Sequence, residues 1–158
     1  MRVLIVCTGN ICRSPTGEVV LRARVRASGL DDRVVVASAG TWGGKVGEPA
    51  DPRAVAAAAR RGYDMSALRA AVVGPEHFAT VDLMLGMTGA HVQQLEAMRP
   101  PQARSEIRRY LDLTPGLEER DVPDPYLGTD ADFEHALDLV ERGVDGVVAH
   151  LRSRLASA

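Results

Sequence analysis

The chain has 158 residues, is 46% hydrophobic and 25% charged, and carries a formal net charge of −2. That length suits one compact domain spanning residues 1–158 with a substantial core, and the composition excludes a disordered or fibrous chain. Its arginines are spread along the sequence beside a lone Lys45, which leaves no basic footprint for a nucleic acid, and no apolar run approaches a membrane span.

The elements follow in order. Val3-Leu4-Ile5-Val6 reads as a buried strand, followed by the polar loop Cys7-Thr8-Gly9-Asn10-Ile11-Cys12-Arg13-Ser14-Pro15. A helix is predicted from Thr16-Gly17 to Ala27, with apolar residues at Val19, Val20, Ala23 and Ala27 between arginines. Val34 to Ala37 is a β-branched second strand, and Ser38 to Pro49 is glycine-rich and predicted as loop. Asp51-Pro52 opens a helix to Arg61, which Gly62 stops. Gly74-Pro75-Glu76 opens a short helix through Phe78, Val81 to Met87 is the third strand, and Thr88 can cap a helix through Ala97. Glu106 to Tyr110 offers a weak fourth strand. Pro115 to Gly128 is a long loop, and a helix runs from Asp130 nearly to the end. Strands alternating with helices imply a parallel sheet covered on both faces, with ligands bound beyond the carboxyl ends of its strands.

A strand, a tight polar loop and a helix together make an anion site, because loop amides and the positive end of the helix converge there. Gly9 and Asn10 are the residues that best allow successive amides to turn inward, and Pro15 fits a first helical turn. The amides, the helix end and Arg13 all favour the thiolate form of Cys7. Arg13 can grip two phosphoryl oxygens with one planar fork, and Ser14 can donate a hydrogen bond to the sulfur. Taken singly, Cys7 could be a small buried hydrophobe and Arg13 a surface charge. The whole block points instead to a nucleophile aimed at a bound phosphate. Phosphoryl transfer to sulfur also needs a proton donor. Asp124, in Asp124-Pro125-Tyr126, lies in a loop stiffened by Pro123 and Pro125. On spacing alone that segment reads as a proline turn with a solvated aspartate more readily than as an acid. The four histidines, His77, His91, His135 and His150, read as surface or internally satisfied groups.

Cys7 and Cys12 are the only cysteines. Two thiols five positions apart in one loop do not make a secreted disulfide framework. The start, Met1-Arg2 and five apolar residues, is too short for a signal core. A reducing cytoplasm is therefore expected.

Along its whole length the sequence resembles the low-molecular-weight protein tyrosine phosphatases, through the Cys7–Pro15 block, Ser38-Ala39-Gly40-Thr41 and Asp124-Pro125-Tyr126. The resemblance implies a three-layer α/β/α fold with a four-stranded parallel sheet and the phosphate-binding loop, Thr8 to Arg13, between the first strand and first helix. It implies Cys7 as a nucleophile that forms a phosphocysteine, Arg13 as phosphate ligand and Asp124 as general acid, then base. Asn10, Ser14 and Ser38 would support the loop, and Ile11, Trp42 and Tyr126 would wall the pocket. No metal or cofactor is implied. The partner would be a phosphotyrosine protein, with a bacterial tyrosine kinase as the family-level candidate.

The sequence departs from this family in two places. Leu68 stands in Ser66-Ala67-Leu68-Arg69-Ala70 where a histidine is common, and Thr88 follows Met87 where an aspartate is common. Both would alter the bracing of the loop and leave the reacting groups intact. Trp42 follows Thr41 directly, a few residues early for the family's aromatic wall. An arsenate reductase would need further cysteines to pass electrons to a donor. An arginine phosphatase would have threonine at Ile11. A phosphate-binding redox module without turnover is the remaining alternative. A reversible Cys7–Cys12 disulfide fits better as regulation layered on catalysis.

Overall fold

A computed structural model describes residues 1–158. Four parallel strands, β1 (Arg2–Cys7), β2 (Val35–Gly40), β3 (Leu83–Gly86) and β4 (Glu106–Arg109), form one sheet in the order β2-β1-β3-β4. Successive residues of a strand face opposite sides, and β1 divides its apolar run accordingly. Val3, Ile5 and Cys7 join the larger core, whereas Leu4 and Val6 join a smaller one on the other face. The larger core is closed by α1 (Arg13–Ala27), α2 (Pro52–Arg60) and α5 (Asp130–Ser157). The smaller is closed by Phe78 of α3 (Pro75–Thr80) and Leu95 of α4 (Gly89–Met98). The result is the three-layer α/β/α arrangement with a four-stranded parallel sheet.

Strand β2 lies on one side of β1 and β3 on the other. The chain leaving β1 therefore emerges where the strand order reverses, the crevice in which such sheets bind ligands.

Several boundaries differ from those the sequence predicts: the third strand, expected over Val81 to Met87, is confined to Leu83–Gly86, and the short helix expected through Phe78 runs to Thr80. Helix α1 begins at Arg13, three residues before Thr16, because Pro15 lacks only an amide that a first turn leaves unbonded anyway. Strand β2 continues through Ser38 and Ala39 to Gly40, since Cys7 pairs with Gly40 in the ladder. Side-chain composition made this segment look like loop, but main-chain pairing made it strand. The weak fourth strand stops at Arg109, and Tyr110–Leu113 turns into a short 3-10 helix. Its Tyr110 hydroxyl donates to the Val140 carbonyl of α5 at 2.8 Å inside the core.

Candidate active site

The loop between β1 and α1 points its carbonyls outward. The carbonyl oxygens of Cys7, Thr8, Ile11 and Cys12 accept from the amides of Thr41 (2.9 Å), Trp42 (3.0 Å), Asp51 (2.8 Å) and Thr16 (3.3 Å). The amides of Gly9, Asn10, Ile11 and Cys12 donate to no backbone carbonyl. Successive amides left unpaired, with their carbonyls tied away, make a concave nest for an anion at the head of a helix. Asn10 is the one non-glycine residue in the left-handed region, at φ 59°, which lets the loop reverse within so few residues.

The side chain of Asn10 is buried behind the loop rather than facing the cavity. Its Nδ2 donates to Ser14 Oγ (2.7 Å) and Ser38 Oγ (2.9 Å), and its Oδ1 accepts from the Ala71 amide (2.9 Å). Ser14 Oγ accepts from Asn10, and its own hydroxyl has two acceptors in reach: Cys7 Sγ at 2.9 Å and, at a longer 3.5 Å, the Ala39 carbonyl. Ser38 in turn donates to Glu18 Oε1 at 2.6 Å. The position of the family's usual histidine is taken by Leu68, which packs against the main core. The network closes instead through Glu18 and the Ala71 main chain.

Thr8 is held from the other side. Its Oγ1 lies 2.9 Å from His91 Nε2, and the Thr88 amide donates to His91 Nδ1 at 3.2 Å. Nδ1 is therefore the accepting nitrogen, and Nε2 carries the proton toward Thr8. Burial, followed by the positive charge of Arg13, lowers the pKa of His91 to about 4, so the ring is neutral. This histidine is internally satisfied, as the sequence suggested, yet it braces the loop after β1. The only sequence cue was its place three residues after the cap Thr88, where it completes a capping box.

Arg13 is buried, donates to the Val122 carbonyl at 3.2 Å and sits 3.6 Å from Asp124 Oδ2. Asp124 is 56% exposed and accepts the Tyr126 amide at 3.1 Å. These groups surround a cavity of about 330 Å³ whose floor holds Cys7 and Arg13 and whose sides include Ile11, Trp42 and Tyr126. Trp42 lies across Gly44, which has no side chain to displace the indole. Cys12 is buried under the loop; burial, then Asp51 and Cys7, push its thiol up to about 12. Both cysteines are free thiols. No three His, Cys, Asp or Glu side chains are gathered as a metal site. A larger cleft of about 440 Å³, lined by Phe78, Val81, Asp82, Pro100 and Arg104, opens at the amino end of β3 and holds neither thiol nor imidazole.

The family model described as low molecular weight phosphotyrosine protein phosphatase matches residues 2–157. The low molecular weight protein-tyrosine-phosphatase of Streptomyces coelicolor is 39% identical, over 98% of this chain and 95% of that protein. A protein tyrosine phosphatase from Entamoeba histolytica superposes with a TM-score of 0.92 at 29% identity, covering 97% of each chain. Wzb of Vibrio vulnificus, solved with benzylphosphonate, gives 0.82 at 29% identity, over 94% of this chain and 97% of that one. By fold, by loop and by kinship over nearly its full length, this chain belongs to the low molecular weight phosphotyrosine protein phosphatase family.

Proposed function

We propose that the enzyme hydrolyses phosphotyrosine in proteins through a phosphocysteine on Cys7, with residues 1–158 acting as one domain. The observation that carries this reading is the sulfur of Cys7 beside inward-facing amides, with the Ser14 hydroxyl 2.9 Å away, closer than that hydroxyl lies to its other acceptor, the Ala39 carbonyl at 3.5 Å. In the first step Cys7 attacks phosphorus, the bond to the aryl oxygen breaks, and Asp124 gives its proton to the departing phenolate. In the second, Asp124 takes a proton from water as that water attacks phosphorus, the sulfur–phosphorus bond breaks and inorganic phosphate leaves. Arg13 and the amides of Thr8 to Arg13 hold the phosphoryl oxygens in both steps, a task suited to fixed dipoles and a planar guanidinium. Ile11, Trp42 and Tyr126 suit an aryl group, and the benzylphosphonate carried by Wzb is a ligand of that shape.

No helix is long and apolar enough to cross a membrane, and free thiols fit a reducing cytoplasm. The partner is then a phosphotyrosine-bearing protein, for which a bacterial tyrosine kinase is the family-level candidate. Cys12 supports a guard against oxidation: peroxide converts Cys7 to a sulfenic acid, and Cys12 displaces water to leave a disulfide.

The test is direct. Cys7→Ser is expected to abolish hydrolysis of an aryl phosphate, and Asp124→Asn to slow it by on the order of a hundredfold while sparing phosphate binding. Equal hydrolysis by Cys7→Ser and the parent enzyme would contradict the reading.

A further inference from the structure

The acid loop is poorly anchored by its own residues. Asp124 is more exposed than buried, and its carboxylate is held by the Tyr126 amide and by Arg13 at 3.6 Å. A proton donor must nonetheless be placed within a fraction of an ångström of the leaving oxygen. Arg53, in the first turn of α2, supplies a path from the phosphate loop to this segment. The Asp51 amide donates to the Ile11 carbonyl at 2.8 Å, within the loop that cradles phosphate. The carboxylate of Asp51 accepts Arg53 Nε (3.1 Å) and Nη2 (2.9 Å), and Nη2 also donates to the Tyr126 carbonyl at 2.9 Å. The guanidinium lies 4.5 Å from the centroid of Phe133 on α5 and 5.7 Å from that of Tyr126.

An isolated surface ion pair would contribute little. Here, however, Asp51 is buried, its carboxyl is held below the usual carboxylate range chiefly by the Arg53 hydrogen bond, and the guanidinium lies over the Phe133 ring and, farther off, the Tyr126 ring. We infer that Arg53 is a positioning residue: it ties the Asp124–Tyr126 segment to the phosphate loop and so places the carboxyl that protonates the leaving group. This rests on Asp124 being the general acid. Lysine cannot replace it fully, since a single ammonium cannot serve a carboxylate, a carbonyl and two ring faces together.

The experiment compares kcat/KM for phenyl phosphate, whose leaving group needs a proton, with that for dinitrophenyl phosphate, whose leaving group does not. Arg53→Met keeps an unbranched apolar stem beside Phe133. It is expected to lose about tenfold on phenyl phosphate and less than about threefold on the dinitrophenyl ester. Inhibition by inorganic phosphate should be unchanged, and Arg53→Lys should recover part of the loss. Added to Asp124→Asn, Arg53→Met should cost nothing further, because both changes act on one proton transfer. Equal losses on both esters, weakened phosphate inhibition, or an additive double variant would overturn the role of Arg53. If Asp124→Asn itself failed to discriminate between the esters, the general-acid reading would fall, a result separable from failure at Arg53 alone.

Discussion

At Gly40 the sheet closes against the loop after β1 so tightly that a Cβ would sit 2.3 Å from the Thr8 carbonyl oxygen. The obstacle is backbone, which cannot swing aside as a side chain can. Gly40→Ala is therefore expected to destabilise the fold by about 3 kcal/mol, measurable as a lower denaturant midpoint, and to reduce turnover by displacing Thr8. Asn10 is as constrained. Alanine there would keep the left-handed backbone at φ 59° without the bonds to Ser14, Ser38 and Ala71. Asn10→Ala is expected to cost roughly 2 kcal/mol and to slow turnover. Cys7, Arg13, Asn10 and Ser14 were legible in the sequence because their chemistry is concentrated in nine consecutive residues. Glu18 was not: a glutamate on a helix is ordinarily solvated, and only the fold shows it buried beneath Ser38.

Among the elements, α4 links helix capping to the site. Thr88 Oγ1 accepts the His91 amide at 3.3 Å while the His91 ring reaches back to Thr88 and onward to Thr8. A histidine whose pKa falls from 6.5 to about 4 on folding binds fewer protons folded than unfolded in that window. Stability from this source is fully present above about pH 6.5 and is lost progressively as pH falls toward 4, by about 3 kcal/mol at the limit. Urea denaturation of the parent protein and His91→Asn at pH 7 and pH 5 checks this, with the acid sensitivity expected to be smaller in the variant. Helix α4 was readable from Thr88 as a cap. The reach of His91 was not, because the order of strands β1 and β3 decides it. In the same way the carboxyl half of β2 was hidden behind Ser38-Ala39-Gly40, residues that favour loops until the neighbouring strand supplies their hydrogen bonds.

At the scale of the whole molecule, the reversal of strand order at β1 gathers three distant stretches of chain around one cavity: the loop after β1, Trp42 and Lys45 after β2, and Asp124 with Tyr126; the start of α2 is tied to the first of these through the Asp51 amide. Parallel topology made that convergence foreseeable, since every loop at the carboxyl edge opens to the same side. Which side chain of a distant segment would reach the loop was not foreseeable, as with Arg53, which reads in sequence as one more arginine on an alanine-rich helix. The arrangement stands or falls on covalent chemistry at one sulfur. Asp124→Asn mixed with dinitrophenyl phosphate, quenched within the first turnover and digested, should yield the peptide containing Cys7 with a phosphoryl group on that cysteine. Turnover with that peptide unmodified, or with phosphate on another residue, would contradict it.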